Sequence, residues 1–260
     1  MSWPQPPLDR SIVGWDPLDE ISVKVGEWIA ELGRDRENLE IEAKVGRIVE
    51  RDGSRVQLPV MSETIVQMQP GWRFESTMSE SQHRSINNFL NRAVEDRKRG
   101  IKYERQNEID YFYRQEGGAS VRVTRDAGTM QVKEGGIVIK RRIADLNVIC
   151  PNHDLDYRIS INVEQPMSEL PVGEPDRHRE KNRLHYTHQR LCIDLTQVHM
   201  PDNPKQPSNE LELEFRDATQ LLRDALESGP AAAKNEWTPY YDQILIMLNN
   251  VRILIRNSVH

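Results

Sequence analysis

Cysteine is scarce in this chain: Cys150 and Cys192 are the only two among 260 residues. Two thiols cannot make a disulfide framework, and they fit a reducing compartment. Neither opens a Cys-x5-Arg loop, because Asp156 and Val198 stand where the arginine would be, which excludes a cysteine-nucleophile phosphatase. The glycine-rich phosphate loop of Walker A is absent too, and no repeat of fixed period is visible. No apolar run approaches the length of a bilayer-spanning helix. The opening Met-Ser-Trp-Pro-Gln-Pro-Pro lacks the basic-then-apolar pattern of a secretory signal, so neither membrane insertion nor export is expected. Positive charge is in deficit, with 35 Lys+Arg against 41 Asp+Glu and a net charge of −6. A polyanionic partner must therefore be met by local basic clusters, not by the overall field. What remains, 37% hydrophobic and 29% charged, suits a polar globular protein. The expected division is a Pro-rich extended lead-in over residues 1–15, bearing Trp3 and Trp15, and a single domain over residues 16–260.

The most ordered stretch runs from Leu39 to Gly46. Leu39, Ile41, Ala43 and Val45 alternate with Glu40, Glu42 and Lys44, and period two means a β-strand with one apolar and one charged face. A solvated sheet face would explain that much. The same device returns downstream, where Glu210, Glu212 and Glu214 alternate with Leu211, Leu213 and Phe215. Glutamate is a mediocre strand former, so two strands that spend a face on it call for a reason. A divalent cation such as Mg²⁺ or Mn²⁺, which takes hard carboxylate oxygens, supplies one.

In chain order, Asp16-Pro17 reads as a helix start and Gly33 as its end, with Leu18, Ile21, Val25, Trp28, Ile29 and Leu32 at helical spacing. A strand over residues 39–50 turns at Asp52-Gly53 into a hairpin partner over residues 56–67. Ser79 and Gln82 form a capping box before a helix carrying Ile86, Phe89, Leu90, Ala93 and Val94. It ends in Arg97-Lys98-Arg99-Gly100, a basic C-terminus that complements the helix dipole. Residues 101–198 read as successive strands with turns at Gly117-Gly118, Ala127-Gly128, Gly135-Gly136 and Pro151-Asn152, hence an antiparallel sheet. Residues 217–227 and 240–256 are helical, with Gly229-Pro230 between them.

Several of these strands have polar faces that need one another. Arg158, Ser160, Asn162 and Glu164 oppose Ile159, Ile161 and Val163; Ser120, Arg122 and Thr124 oppose Val121 and Val123; Asp194 and Thr196 oppose Ile193 and Leu195. Arg179, Lys181, Arg183 and His185 share one face of another strand. A solvated face mixes its charges within each strand, whereas here one strand is nearly all acid and another nearly all base. If the sheet closes into a barrel, these faces point inward, with glutamates for a metal and Arg and Lys for an anion. Phosphate is the anion that this combination most commonly serves.

Glu40-Ile-Glu42-Ala-Lys44, Glu210-Leu-Glu212-Leu-Glu214 and Arg179-Glu-Lys181-Asn-Arg183 resemble the fungal-type RNA 5′-triphosphatases, the β subunits of the mRNA capping apparatus, within the triphosphate tunnel metalloenzyme superfamily. The resemblance covers residues 39–215 and, with the flanking helices, most of the chain. It implies a mainly β (α+β) fold: a closed eight-stranded antiparallel tunnel with a charged interior and helices on the outside. It implies removal of the γ-phosphate from triphosphate-ended nascent mRNA in the nucleus, with Mg²⁺ or Mn²⁺ as cofactor. By position, Glu40, Glu212 and Glu214 match the metal ligands, with Glu42 beside them; Arg122, Lys181 and Arg183 match the γ-phosphate ligands; Glu164 matches the glutamate that orients the attacking water. Lys44, Arg179, Asp194, Thr196 and Glu210 fall in supporting positions, the middle three as a brace. The chain departs from the pattern at Cys192, where an arginine is expected; Arg190 is the nearby candidate to replace it. The resemblance also implies a homodimer working with an RNA guanylyltransferase and the transcription machinery.

Two rival functions share these residues. A tunnel enzyme for inorganic polyphosphate or free nucleotides would have the same glutamates. A non-catalytic module binding polyphosphate or RNA ends would gain nothing from five inward glutamates. A zinc site on His178, His185 and His188 lacks a clean second ligand pair.

Overall fold

The structure, a computed structural model, describes residues 9, 11–12, 14, 16–115, 117–201, 207–228 and 238–258. The lead-in, including Trp3 and Trp15, falls mostly outside the described residues, as does Gly229-Pro230. In chain order the elements are α1 (Glu20–Gly33), β1 (Leu39–Val49), β2 (Thr64–Val66), β3 (Arg73–Glu75), α2 (Glu80–Glu95), β4 (Lys102–Arg114), β5 (Ser120–Asp126) and β6 (Val132–Ile149). There follow β7 (Asp156–Pro166), β8 (Arg177–His188), β9 (Leu191–His199), β10 (Ser208–Phe215), α3 (Ala218–Ser228) and α4 (Pro239–Arg256).

Eight strands close on themselves in the order β1, β7, β6, β5, β4, β8, β9, β10, all neighbours antiparallel, and β10 pairs back onto β1 through Glu42 opposite Glu214 and Lys44 opposite Glu212. A closed barrel leaves no edge. The period-two pattern then separates inside from outside. Ile41, Ala43 and Val45 are fully buried on the outer face of β1, as are Ile159 and Ile161 on β7 and Leu211 and Leu213 on β10. They meet α1, α3 and α4, whose own core residues include Val25, Ile29, Leu221, Ile244, Met247, Leu248 and Val251. The main core thus lies between the outside of the barrel and the helices, and the barrel interior is left to charge.

The helices sit tightly. The Tyr240 hydroxyl donates to the Gly26 carbonyl at 2.6 Å, and a Cβ at Gly26 would stand 2.7 Å from the Tyr241 ring. Arg252 of α4 pairs with Asp19 and Glu63, both at 2.8–2.9 Å, tying the helix layer to the loop after β1. At the far end of β1, Asp156 is fully buried and accepts from the Ile48 and Cys150 amides and from Arg55.

Three local expectations are corrected. Helix α1 starts at Glu20, capped by the Asp19 carboxylate on the Ser22 amide, so Asp16-Pro17 lies outside it. The turn at Gly53 exists, but residues 56–67 do not pair with β1 as a hairpin. Val56 bonds once to Ile48, and only Thr64–Val66 forms a strand, on β6. The neighbour of β1 at that end is β3. Gly135-Gly136 is not a turn: it lies inside β6, where a Cβ at Gly136 would stand 2.8 Å from the Thr124 carbonyl. The capping box of Ser79 and Gln82 is present, and Arg97–Arg99 forms a short 3-10 turn closed by Gly100 at φ 64°.

Candidate active site

Strand β8 projects Arg179, Lys181, Arg183 and His185 into the barrel, and acids from β4 and β9 answer each of them. Lys181 Nζ lies 2.8 Å from Glu108 and 3.1 Å from Asp110. Arg179 donates to Asp110 at 2.9 Å. Arg183 lies 3.1 Å from Asp194, and His185 Nδ1 2.6 Å from the other oxygen of that carboxylate. Burial would raise Glu108 and Asp110, but Lys181 and the arginines beside it hold both carboxyls down to about 2. Burial and the charge of Arg183 depress Lys181. From β5, Arg122 reaches Glu164 of β7 at 3.0 Å. The Nε–H groups of both Arg122 and Arg183 are buried and find no acceptor among the described residues. A buried guanidinium donor left unpaired is costly.

The opposite wall is acidic. Glu40 and Glu42 project from β1, Glu212 and Glu214 from β10, and Asn162 of β7 donates to Glu40 at 2.8 Å and Glu42 at 2.9 Å. Two lysines thread this group. Lys44 pairs with Glu212 and lies 3.2 Å from Glu42. Lys140 of β6 pairs with Glu40 and lies 3.5 Å from Glu42 and 3.7 Å from Glu164. Burial opposes the charge on Glu212, but Lys44 holds its carboxyl far below the usual range, with help from Lys140 and Arg183. Glu214 differs. It makes no hydrogen bond or ion pair with a described residue, and burial, then Glu40, Glu42 and Asp194, push its carboxyl up to about 8.

Together these groups line a cavity of about 240 Å³ that holds Glu40, Glu42, Lys44, Arg122, Glu164, Arg179, Lys181, Arg183, Asp194, Glu212 and Glu214. Of the residues expected by position to ligate, catalyse or support, Thr196 and Glu210 stand apart from that lining. Thr196 Oγ1 is buried without a partner among the described residues, and Glu210 accepts from Ser208 while burial and Glu212 raise its carboxyl.

A hard divalent ion fits this donor set. Four carboxylates meet on adjacent strands, and Glu214 has no cation of its own. As the side chains are placed, no three His, Cys, Asp or Glu among the described residues stand close enough to share an ion. Lys44 and Lys140 hold Glu212 and Glu40 in ion pairs instead.

The family model for the mRNA capping enzyme beta chain matches residues 15–260. The chain belongs to that family. Two relatives named mRNA-capping enzyme subunit beta illustrate it. The protein from Cryptococcus neoformans is 35% identical over 271 residues, covering 97% of this chain and 65% of the relative. The one from Schizosaccharomyces pombe is 36% identical over 239 residues, covering 85% of this chain and 75% of the relative. The chain therefore spans about two thirds to three quarters of the length of these capping enzyme beta subunits. Among solved structures, S. pombe Pct1 RNA triphosphatase superposes with a TM-score of 0.86 at 31% identity, covering 97% of this chain and 99% of that one. The same protein in complex with the Spt5 CTD matches equally well.

Against this capping-subunit frame, several groups at the site escaped sequence reasoning. Glu108 and Asp110 lie on β4, whose inward and outward faces are both polar, so no alternation announces them. Lys140 opens a Lys-Arg-Arg run just before a bulge between Arg142 and Ala144, which blurs its face. Arg190 does not replace the expected arginine at Cys192. It pairs with Asp224 and Gln243 outside the barrel, whereas His185 takes the second oxygen of Asp194. His178 stacks on Tyr111 and does not join His185.

Proposed function

We propose that this protein removes the γ-phosphate from the 5′-triphosphate end of RNA, leaving a diphosphate end and orthophosphate. The observation that carries the reading is that Arg122, Lys181 and Arg183 line one small cavity together with Glu40, Glu42, Glu212 and Glu214. Arg122, Lys181 and Arg183 neutralise and orient the γ-phosphoryl oxygens, and Arg fits two of them at once. Glu164 accepts a hydrogen bond from the attacking water and takes its proton as the new oxygen–phosphorus bond forms and the β,γ-bridging bond breaks. Arg122, bonded to Glu164 at 3.0 Å, keeps that carboxylate over the phosphate. Asp194 braces Arg183, and Asp110, shared with Arg179, braces Lys181; Thr196, whose hydroxyl finds no partner among the described residues, takes no part in that brace. Glu40, Glu212 and Glu214, with Glu42 beside them, would hold Mg²⁺ or Mn²⁺, whose charge neutralises phosphate oxygens when bound. Lys140 is the internal counter-ion of Glu40 until then.

The family frame supports RNA over free polyphosphate as substrate, and nuclear action beside an RNA guanylyltransferase and the transcription machinery, the protein acting as a homodimer. The test is release of labelled phosphate from γ-labelled triphosphate RNA with Mg²⁺ or Mn²⁺, beside inorganic tripolyphosphate and ATP. Undiminished turnover in excess chelator, or release of pyrophosphate, would overturn it.

A further inference from the structure

The two mouths of the barrel differ. Because all eight strands alternate in direction, β7 and β8, four places apart around the barrel, run the same way. Glu164, near the end of β7, and Arg177, the first residue of β8, therefore mark opposite mouths. The mouth at the start of β8 carries a stack that the catalytic reading does not use. Phe112 of β4 lies opposite Arg122 on one side and Arg177 on the other, so all three share the inward face. The Arg177 guanidinium sits 4.5 Å from the Phe112 ring centroid and that of Arg179 at 5.4 Å. Arg177 is exposed and makes no ion pair with a described residue. Across the same mouth, Arg158 of β7 covers Phe74 at 4.6 Å. Glu104 and Glu134 are exposed toward the other mouth.

We propose that the mouth formed by Arg177, Phe112 and Arg179 receives the first nucleotides of the RNA; this rests on the triphosphatase reading above. The direction follows from in-line displacement. A water held by Glu164 approaches the γ-phosphorus from one mouth, so the leaving oxygen points toward the other. Inward residues on one strand are about 7 Å apart, so Lys181, Arg179 and Arg177 step outward from the γ-phosphate along the leaving chain. Arg179 then meets the phosphates that remain on the RNA. Arg177 and Phe112 meet the 5′ nucleoside, offering the guanidinium plane and aromatic face on which unpaired bases stack without regard to sequence. Inorganic tripolyphosphate has no nucleoside and gains nothing from either.

The experiment compares kcat/KM for a triphosphate-ended oligoribonucleotide and for inorganic tripolyphosphate in wild type, Arg177→Ala, Phe112→Leu and Lys102→Ala, the last at the start of β4 on the other mouth. Binding of the fluorescent oligoribonucleotide in chelator is measured alongside. Arg177→Ala and Phe112→Leu should lose about tenfold or more on RNA in both readouts, against less than threefold on tripolyphosphate. Lys102→Ala should keep its RNA turnover. An equal fall on both substrates would make the stack a structural support and sink the proposal, as would normal RNA turnover in both mouth variants. A selective RNA defect in Lys102→Ala alone would place the RNA at the other mouth. Wild type that cleaves tripolyphosphate but not RNA would remove the triphosphatase reading and this one with it; wild type that cleaves RNA beside a normal Arg177→Ala removes only this one.

Discussion

Glu212 and Glu214 stand two residues apart on the inward face of β10, yet their carboxyls are held at opposite ends of the titration range. Lys44 and its neighbours keep Glu212 ionised far below the usual pKa, while burial and three other acids push Glu214 up to about 8. A carboxyl raised from 4.5 in the unfolded chain binds a proton more tightly when folded. The metal-free protein therefore loses stability as pH rises from about 4.5 to about 8.

Glu214→Gln resembles the protonated acid in shape and charge. Its melting temperature in EDTA should match wild type near pH 5 and exceed it near pH 9, while turnover is lost and the Mn²⁺-induced rise shrinks. Thermal unfolding at both pH values with and without Mn²⁺ reads this. Melting well below wild type in EDTA would make Glu214 a structural ion-pair partner and remove it from the metal set.

Lys140 holds the charge balance of Glu40 and Glu42 from inside the protein. Lys140→Met should lower the melting temperature in EDTA, because breaking a buried pair leaves an uncompensated charge. The rise on adding Mn²⁺ should be larger than in wild type, since the ion no longer competes with an ammonium. An unchanged metal response would separate Lys140 from the carboxylates proposed to bind metal.

How much of this site a reader of the sequence could see depended on what lay outside the barrel. Beneath the helices, β1, β7 and β10 must alternate, so Glu40, Glu42, Asn162, Glu212 and Glu214 were legible against Ile41, Ile161 and Leu213. On β4 the outward face is largely open to water. Arg105 and Asn107 are exposed while Glu108 and Asp110 are buried, so the usual sign of hydropathy is inverted and the acids that hold Lys181 stayed invisible. The segment 56–67 failed for another reason. Its β-branched residues suit a strand, but the edge of β1 on which Val56 meets Ile48 is taken by β7 from Gly46 back to Leu39.

Arg183→Lys should cost at least about tenfold in kcat even though the charge is kept. The Nε donor of Arg183 is buried and finds no acceptor among the described residues, and an ammonium cannot present the two-pronged geometry. Glu164→Gln should lose turnover on the order of 10²–10⁴-fold, with phosphate-analogue binding retained, because an amide takes no proton from water. Steady-state kinetics and tripolyphosphate binding in chelator separate the two. Near-normal kcat in Arg183→Lys would reduce that residue to bulk charge.

The last prediction concerns the ion pairs around Asp194, two residues from Cys192. His185 donates to Asp194 at 2.6 Å, and Asp194 also holds Arg183 at 3.1 Å. Asp194, and after it Cys192, raise His185 to about 10, so the imidazolium is charged throughout the physiological range. A histidine whose folded pKa exceeds its ordinary 6.5 adds stability that is complete below about 6.5 and is lost as pH rises to about 10. His185→Gln keeps a donor near Asp194 but removes the charge. Its melting temperature should fall below wild type by a constant amount under pH 6.5, and the gap should close between 6.5 and 10. Asp194→Asn should cost more at every pH in that window, because it strips a counter-ion from both His185 and the half-buried Arg183. If the gap between wild type and His185→Gln does not change with pH, His185 acts by packing alone, and Arg183 depends on Asp194 without a second cation to complete the brace.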